Sequence, residues 1–204
     1  MVAHVTLICR DEPYPPIQGD VIGVDAGAAY ALRHHLNLVL AIGDFDSIDA
    51  TTLNALRART NIETHPTDKD LPDSALAIEA ALKRGYTELT LYGGLGGRID
   101  HQHANIVLCS RYPQLTLVDD VHVVKAYPRG EYTLIDAGYA YFSVFSFEKA
   151  TLSLNGCAYP LDHYELHPSD ILGLSNRFFL RSVHLSVHDG TVVVMLTKAE
   201  KNGV

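Results

Sequence analysis

Tryptophan is absent from the 204 residues, and there are only three cysteines and two methionines. Cys9, Cys109 and Cys157 lie far apart and are odd in number, which excludes a disulfide framework and the paired spacing of a zinc site. No apolar run approaches the roughly 20 residues that cross a bilayer. Basic residues are outnumbered, with 16 Lys and Arg against 24 Asp and Glu. The formal net charge of -8 argues against a non-specific nucleic-acid binder, which carries a basic face. Met1 to Arg10 has no basic stretch ahead of its apolar residues, so no signal peptide is expected. These absences point to a cytoplasmic protein with neither membrane nor nucleic acid as partner.

Histidine is plentiful at eleven, but mostly scattered. His101 and His103 are two apart, a poor spacing for one helix face. A histidine-built metal site is therefore the lesser alternative. With 47% hydrophobic and 20% charged residues the chain can build a core, as one large or two small domains.

The apolar run Leu38 to Ile42 predicts a buried parallel strand, closed by Gly43-Asp44-Phe45-Asp46-Ser47. Ligands of open α/β sheets bind outside the carboxyl ends of the strands. Asp44 and Asp46 in that position suit a hard cation such as Mg²⁺. The plain alternative is that Asp46 or Ser47 caps the next helix. Val5 to Cys9 and Val21 to Asp25 are further strands, the second followed by Ala26-Gly27-Ala28-Ala29 at a helix start. Small residues there seat a phosphate on free N–H groups, or simply let the helix pack close.

Further strands are expected at Asn61 to Thr64, Glu88 to Tyr92 and Gln114 to Val118. Helices are expected around Leu53 and Leu56, from Ser74 to Arg84, and through Ala104 to Leu108. The loop Thr67 to Asp73 carries Lys69, Asp70 and Asp73, the last well placed as a helix N-cap. The stretch Gly93-Gly94-Leu95-Gly96-Gly97-Arg98-Ile99-Asp100-His101 removes side chains where backbone approaches something closely. Its Arg98 suits phosphate oxygens, and Asp100 suits a metal or a helix cap. Beyond Tyr127-Pro128-Arg129-Gly130 no helix is predicted. Short alternating runs follow, and Asp189-Gly190 reads as a hairpin turn. Ser175-Asn176 on its own is an ordinary turn. The expected fold is α/β: a mostly parallel, Rossmann-like sheet domain over 1–127, then a smaller antiparallel β-sandwich or barrel over 128–204.

In this order and spacing the motifs resemble thiamine pyrophosphokinase. They are Asp25-Ala26-Gly27, Gly43 to Ser47, Lys69 to Asp73, Gly96 to His101 with Ala104-Asn105, and Ser175-Asn176. The resemblance spans nearly the whole chain. It implies a homodimer with active sites between subunits. It also implies Mg²⁺-dependent transfer of the pyrophosphoryl group of ATP to the hydroxyl of thiamine, leaving AMP. Asp44, Asp46, Asp73 and Asp100 would hold the metal, and Lys69 and Arg98 would stabilise the transferred group. Asp100 is the candidate proton acceptor. Asp25, Gly27, Asp44, Gly94, Gly96 and Gly97 would line the nucleotide. Asp70, His101, Asn105, Ser175 and Asn176 would contact thiamine, the β-rich half supplying the last two. Pro72 and Ala75 depart from the family pattern, which ordinarily has Thr and an acid there. Two rivals follow from the same residues. Asp44-x-Asp46 partly fits a haloacid-dehalogenase-like phosphohydrolase, and the Pro72 and Ala75 departures fit a thiamine- or nucleotide-binding sensor without turnover. A methyltransferase reading of Val24 to Gly27 lacks the later glycines.

Overall fold

The computed structural model describes residues 3–65 and 71–199. Lys69 and Asp70 lie outside the described residues. The chain divides into two compact units, Met1–Asn105 with Gln114–Asp119, and Ile106–Pro113 with Asp120–Val204.

In the first unit six strands are all parallel: β1 (His4–Ile8), β2 (Asp20–Val24), β3 (Asn37–Gly43), β4 (Asn61–Thr64), β5 (Glu88–Tyr92) and β6 (Leu115–Val118). Their order is β6-β5-β1-β2-β3-β4. Three helices alternate with them: α1 (Ala26–Arg33), α2 (Ala50–Arg59) and α3 (Asp73–Lys83). A fourth, α4 (Ile99–Arg111), has residues in both units. The inner strands read as apolar runs because both faces are covered. Leu7, Ile22, Leu40 and Ile42 are all fully buried. Each such side chain contributes about 1.5–3 kcal/mol of transfer free energy. From β1 the chain builds outward to β4, then returns to place β5 on the other side of β1. That reversal leaves a crevice at the carboxyl ends of β1 and β5, where open sheets hold their ligands.

Two capping expectations are corrected. Asp49, rather than Asp46 or Ser47, caps α2: its carboxylate accepts N–H bonds from Thr51 at 2.9 Å and Thr52 at 3.0 Å. Pro72 is the N-cap of α3, and Asp73 stands in its first turn without capping it. An acid there still complements the positive helix end.

The second unit holds β7 (His122–Ile135), β8 (Tyr141–Phe145), β9 (Ala150–Asn155), β10 (Leu161–Leu166) and β11 (Ser182–Thr197), all paired antiparallel. No helix lies wholly within its residues 120–199 among those described. The predicted hairpin at Asp189-Gly190 is not one. β11 runs straight through it, and the register shifts there against both β7 and β9. Gly190 at φ +75 is the positive-φ position of a bulge. Thr191 lies opposite Pro128, which cannot donate to the ladder and so tolerates the interruption. β7 likewise continues unbroken through Tyr127 to Gly130. The core is Leu134, Phe142, Val144, Leu152, Leu185 and Val194 with their neighbours.

Candidate active site

A cavity of about 270 Å³ opens at the carboxyl ends of β1, β2 and β5. Cys9 and Arg10 follow β1, Asp25 follows β2, and Gly93 follows β5. The start of α3 adds Asp73 and Ser74, and Arg98, His101 and Asn105 come from α4 and the loop before it. Parallel strands deliver all these chain ends to one edge, so residues distant in sequence share one hollow.

Asp25 occupies the tightest corner. Its backbone is at φ 46, and its carboxylate accepts the N–H of Asp44 at 3.2 Å and that of Phe45. Any side chain at Gly43, itself at φ +151, would overlap that carboxylate. The Asp46 N–H donates to Asp44 Oδ1 at 3.1 Å, so the Gly43 to Ser47 turn is folded around its own acids. Burial, then the charges of Asp73 and Asp44, push Asp25 up to about 6, against the two N–H donors that lower it.

A cation would relieve this crowding. Among the described residues, however, no three His, Cys, Asp or Glu side chains are gathered as a ready metal cage. Mg²⁺ commonly binds through one or two carboxylates plus substrate phosphates and water, and the partly gathered acids fit that mode. Asp44 is half-buried and Asp46 is exposed; neither lines the cavity.

Asp100 is in a different setting. Arg98 grips it with two bonds, Nη2 to Oδ2 at 2.5 Å and Nε to Oδ1 at 3.1 Å. The Arg98 bond holds the Asp100 carboxyl down at about 2, with help from the His101 N–H, and Asp100 in turn raises Arg98. Arg98 lines the cavity, whereas Asp100 is outside its lining. Asn105 is buried, accepts from Ser74 Oγ at 2.8 Å and donates to the Gly94 carbonyl at 2.9 Å. It ties α3, α4 and the glycine loop together. Gly27 is buried against the Ile8 carbonyl, which a Cβ would overlap, so its size serves helix–strand packing.

Sequence reasoning passed over Arg10 and Cys9. Arg10 donates to the carbonyls of Leu95, at 3.0 Å, and Gly96. The available signal was position: Arg10 directly follows the predicted strand Val5 to Cys9, on the ligand-bearing edge. Burial, then the charge of Asp25, pushes the Cys9 thiol up to about 12, which disfavours the thiolate.

In the second unit, Ser175 sits at φ 56 and its N–H donates to Ser143 Oγ at 3.0 Å. Asn176 is buried and spends its amide on backbone. Oδ1 accepts from the N–H groups of Tyr159 and Arg177, and Nδ2 donates to the Tyr159 carbonyl at 2.8 Å.

Comparison with known proteins joins both units to one family. Residues 19–118 match the sequence model described as "Thiamin pyrophosphokinase, catalytic domain", and residues 131–192 match "Thiamin pyrophosphokinase, vitamin B1 binding domain". A thiamine pyrophosphokinase of Bacillus subtilis (strain 168) is 29% identical over 182 residues, 85% of each chain. The crystal structure of a thiamin pyrophosphokinase family protein from Enterococcus faecalis aligns with TM-score 0.85 and 27% identity, covering 97% of this chain and 100% of the other. That of the Bacillus subtilis enzyme aligns with TM-score 0.84 and 25% identity, again covering 97% and 100%.

Proposed function

The chain belongs to the thiamin pyrophosphokinase family and carries that family's activity, and on that premise we propose that it moves the pyrophosphoryl group of ATP onto the hydroxyl of thiamine. The thiamine oxygen bonds to the β-phosphorus and gives up its proton to solvent, the α–β bridge breaks, and AMP leaves with the bridging oxygen. The observation that carries this reading is the cavity at the reversal point of the parallel sheet, with Asp25 and Asp73 beside Arg10 and Arg98. Such a transfer needs positioning and charge neutralisation more than covalent chemistry.

In this reading Asp44, Asp46 and Asp73 would hold Mg²⁺, which would supply charge neutralisation at the phosphate oxygens. Arg98, aimed by Asp100, faces the transferred group. Asp100 so strongly ionised is a weak proton acceptor, and we assign it the orientation of Arg98 instead. Lys69 and Asp70 keep the roles the resemblance implies. The first unit is read as the nucleotide-binding domain and the second as the thiamine-binding β domain. The exposed Ile171, Leu172, Leu174, Phe179 and Leu180 surround Ser175-Asn176 in sequence and support a homodimer that covers them. Among the described residues no helix is long and apolar enough to cross a membrane. We place the protein in the cytoplasm, with its ATP.

A coupled assay for AMP, with thiamine present or omitted, tests the proposal. AMP should require both substrates. Phosphate release without thiamine would select the hydrolase, and thiamine binding without AMP would select the sensor; the comparisons favour neither.

A further inference from the structure

The four glycines between Gly93 and Gly97 suggest a backbone bared for a phosphate, yet all four face protein, Gly94 against Leu91 and the other three toward Arg10. A Cβ at Gly93 would come within 2.7 Å of the Tyr14 hydroxyl and 3.0 Å of the Arg10 nitrogen. One at Gly97 would come within 2.9 Å of Arg10 Nη2, and one at Gly96 within 3.6 Å of Nη1. The guanidinium lies along this bare backbone and donates to two consecutive carbonyls, Leu95 and Gly96. Arg10 is itself secured, because the Tyr14 hydroxyl donates to its carbonyl at 3.1 Å. Tyr14 packs edge-on against Tyr30, with ring centroids 5.0 Å apart, and lies 5.3 Å from the Tyr92 ring. The loop's far side is tied to α4, where the Gly96 N–H donates to Gln102 Oε1 at 2.9 Å. Directly after the loop comes Arg98.

We propose that Arg10 is a positioning residue for the nucleotide: its planar fork pins the Leu95 and Gly96 carbonyls so that Arg98 and the start of α4 are presented to the cavity. Gly93, Gly96 and Gly97 are at positive φ, which favours glycine, and their bare backbone leaves the room that Arg10 occupies. A lysine keeps the charge but offers a single ammonium in place of a rigid fork, so it cannot reproduce a two-carbonyl grip. By donating to the Leu95 and Gly96 carbonyls, Arg10 also offsets the partial negative charge that these oxygens would present to a polyphosphate. The assignment rests on the pyrophosphokinase reading for its ligand, but the pin itself can be measured without one.

The test uses the full chain as Arg10→Met and Arg10→Lys. Amide exchange over Gly94 to Arg98, with no substrate added, is expected to speed by at least about tenfold in both variants. In the AMP assay the KM for ATP is expected to rise about tenfold in both, with the KM for thiamine unchanged. Unchanged exchange in Arg10→Met overturns the assignment, as does a lysine variant with wild-type exchange and wild-type KM for ATP. Equal rises in both KM values also overturn it, because they report general loosening. An inactive wild-type chain whose loop still loosens in Arg10→Met overturns the functional reading alone.

Discussion

Asp25 and Asp100 both follow a strand of the same parallel sheet, yet their surroundings drive them in opposite directions. Asp25 is crowded, with burial and two neighbouring carboxylates raising it to about 6. Asp100 is exposed and clasped by Arg98, which lowers it to about 2. The difference teaches that an acid on the ligand-bearing edge, whether at the end of β2 or in the first turn of α4, acquires its chemistry from what the fold brings to it. The crowded corner stores repulsion that a cation can relieve; the clasped pair is already neutral as a unit.

The largest expected effect comes from breaking the crowded corner sterically. Gly43→Ala forces a Cβ into the Asp25 carboxylate at a backbone angle that favours glycine. Urea unfolding should report a loss of about 2–4 kcal/mol. AMP formation should fall about a hundredfold through misplacement of the turn. Next comes Asp25→Asn, which tests the repulsion itself. An acid whose folded pKa lies above its unfolded one binds its proton more tightly when folded. Its contribution to stability is therefore full below the ordinary 3.8 and lost as pH rises through about 6. In EDTA at pH 7 the asparagine variant should be more stable by about 1 kcal/mol, a figure reduced for partial solvent screening. Its stability should also no longer decline between pH 4 and 6, while its AMP formation falls. A variant no more stable than wild type would remove the contrast.

On the other side, Asp100→Asn frees Arg98. The expected result is a fall of about tenfold in kcat/KM, an unmoved urea midpoint, and no change in the shape of the pH profile above pH 5. The smallest effect belongs to a third acid that serves only its own helix end, accepting from the N–H groups of Thr51 and Thr52 and from the Thr52 hydroxyl. Asp49→Ala removes the cap of α2 and should lower the unfolding midpoint slightly while leaving AMP formation unchanged.

Much of this was legible in the residues. β3 could be read because a strand covered on both faces must be apolar throughout, and Leu38 to Ile42 is. β4 and β5 were bounded correctly because polar turns flank them. The gathering of Asp25, Asp73 and Arg98 followed from parallel topology, in which carboxyl ends share an edge. Asp189-Gly190 was misread for a physical reason. A positive-φ glycine serves a hairpin and a bulge equally, and only the partner strands decide between them. The cap of α2 was misplaced because Asp46, Ser47 and Asp49 are equally competent by type; the chain's path selected Asp49. Arg10 stayed hidden because its bonds go to carbonyls 85 and 86 residues away, which leave no local pattern.

β11 carries a consequence for synthesis. It pairs with β7, β8 and β9, all of which precede it in the chain. As the polypeptide leaves the ribosome at about 5–20 residues per second, those three strands wait for seconds with unsatisfied edges. That interval is when a nascent chain is most open to chaperone capture or to pairing with a neighbour's strand, and it closes when a single segment zips three ladders at once.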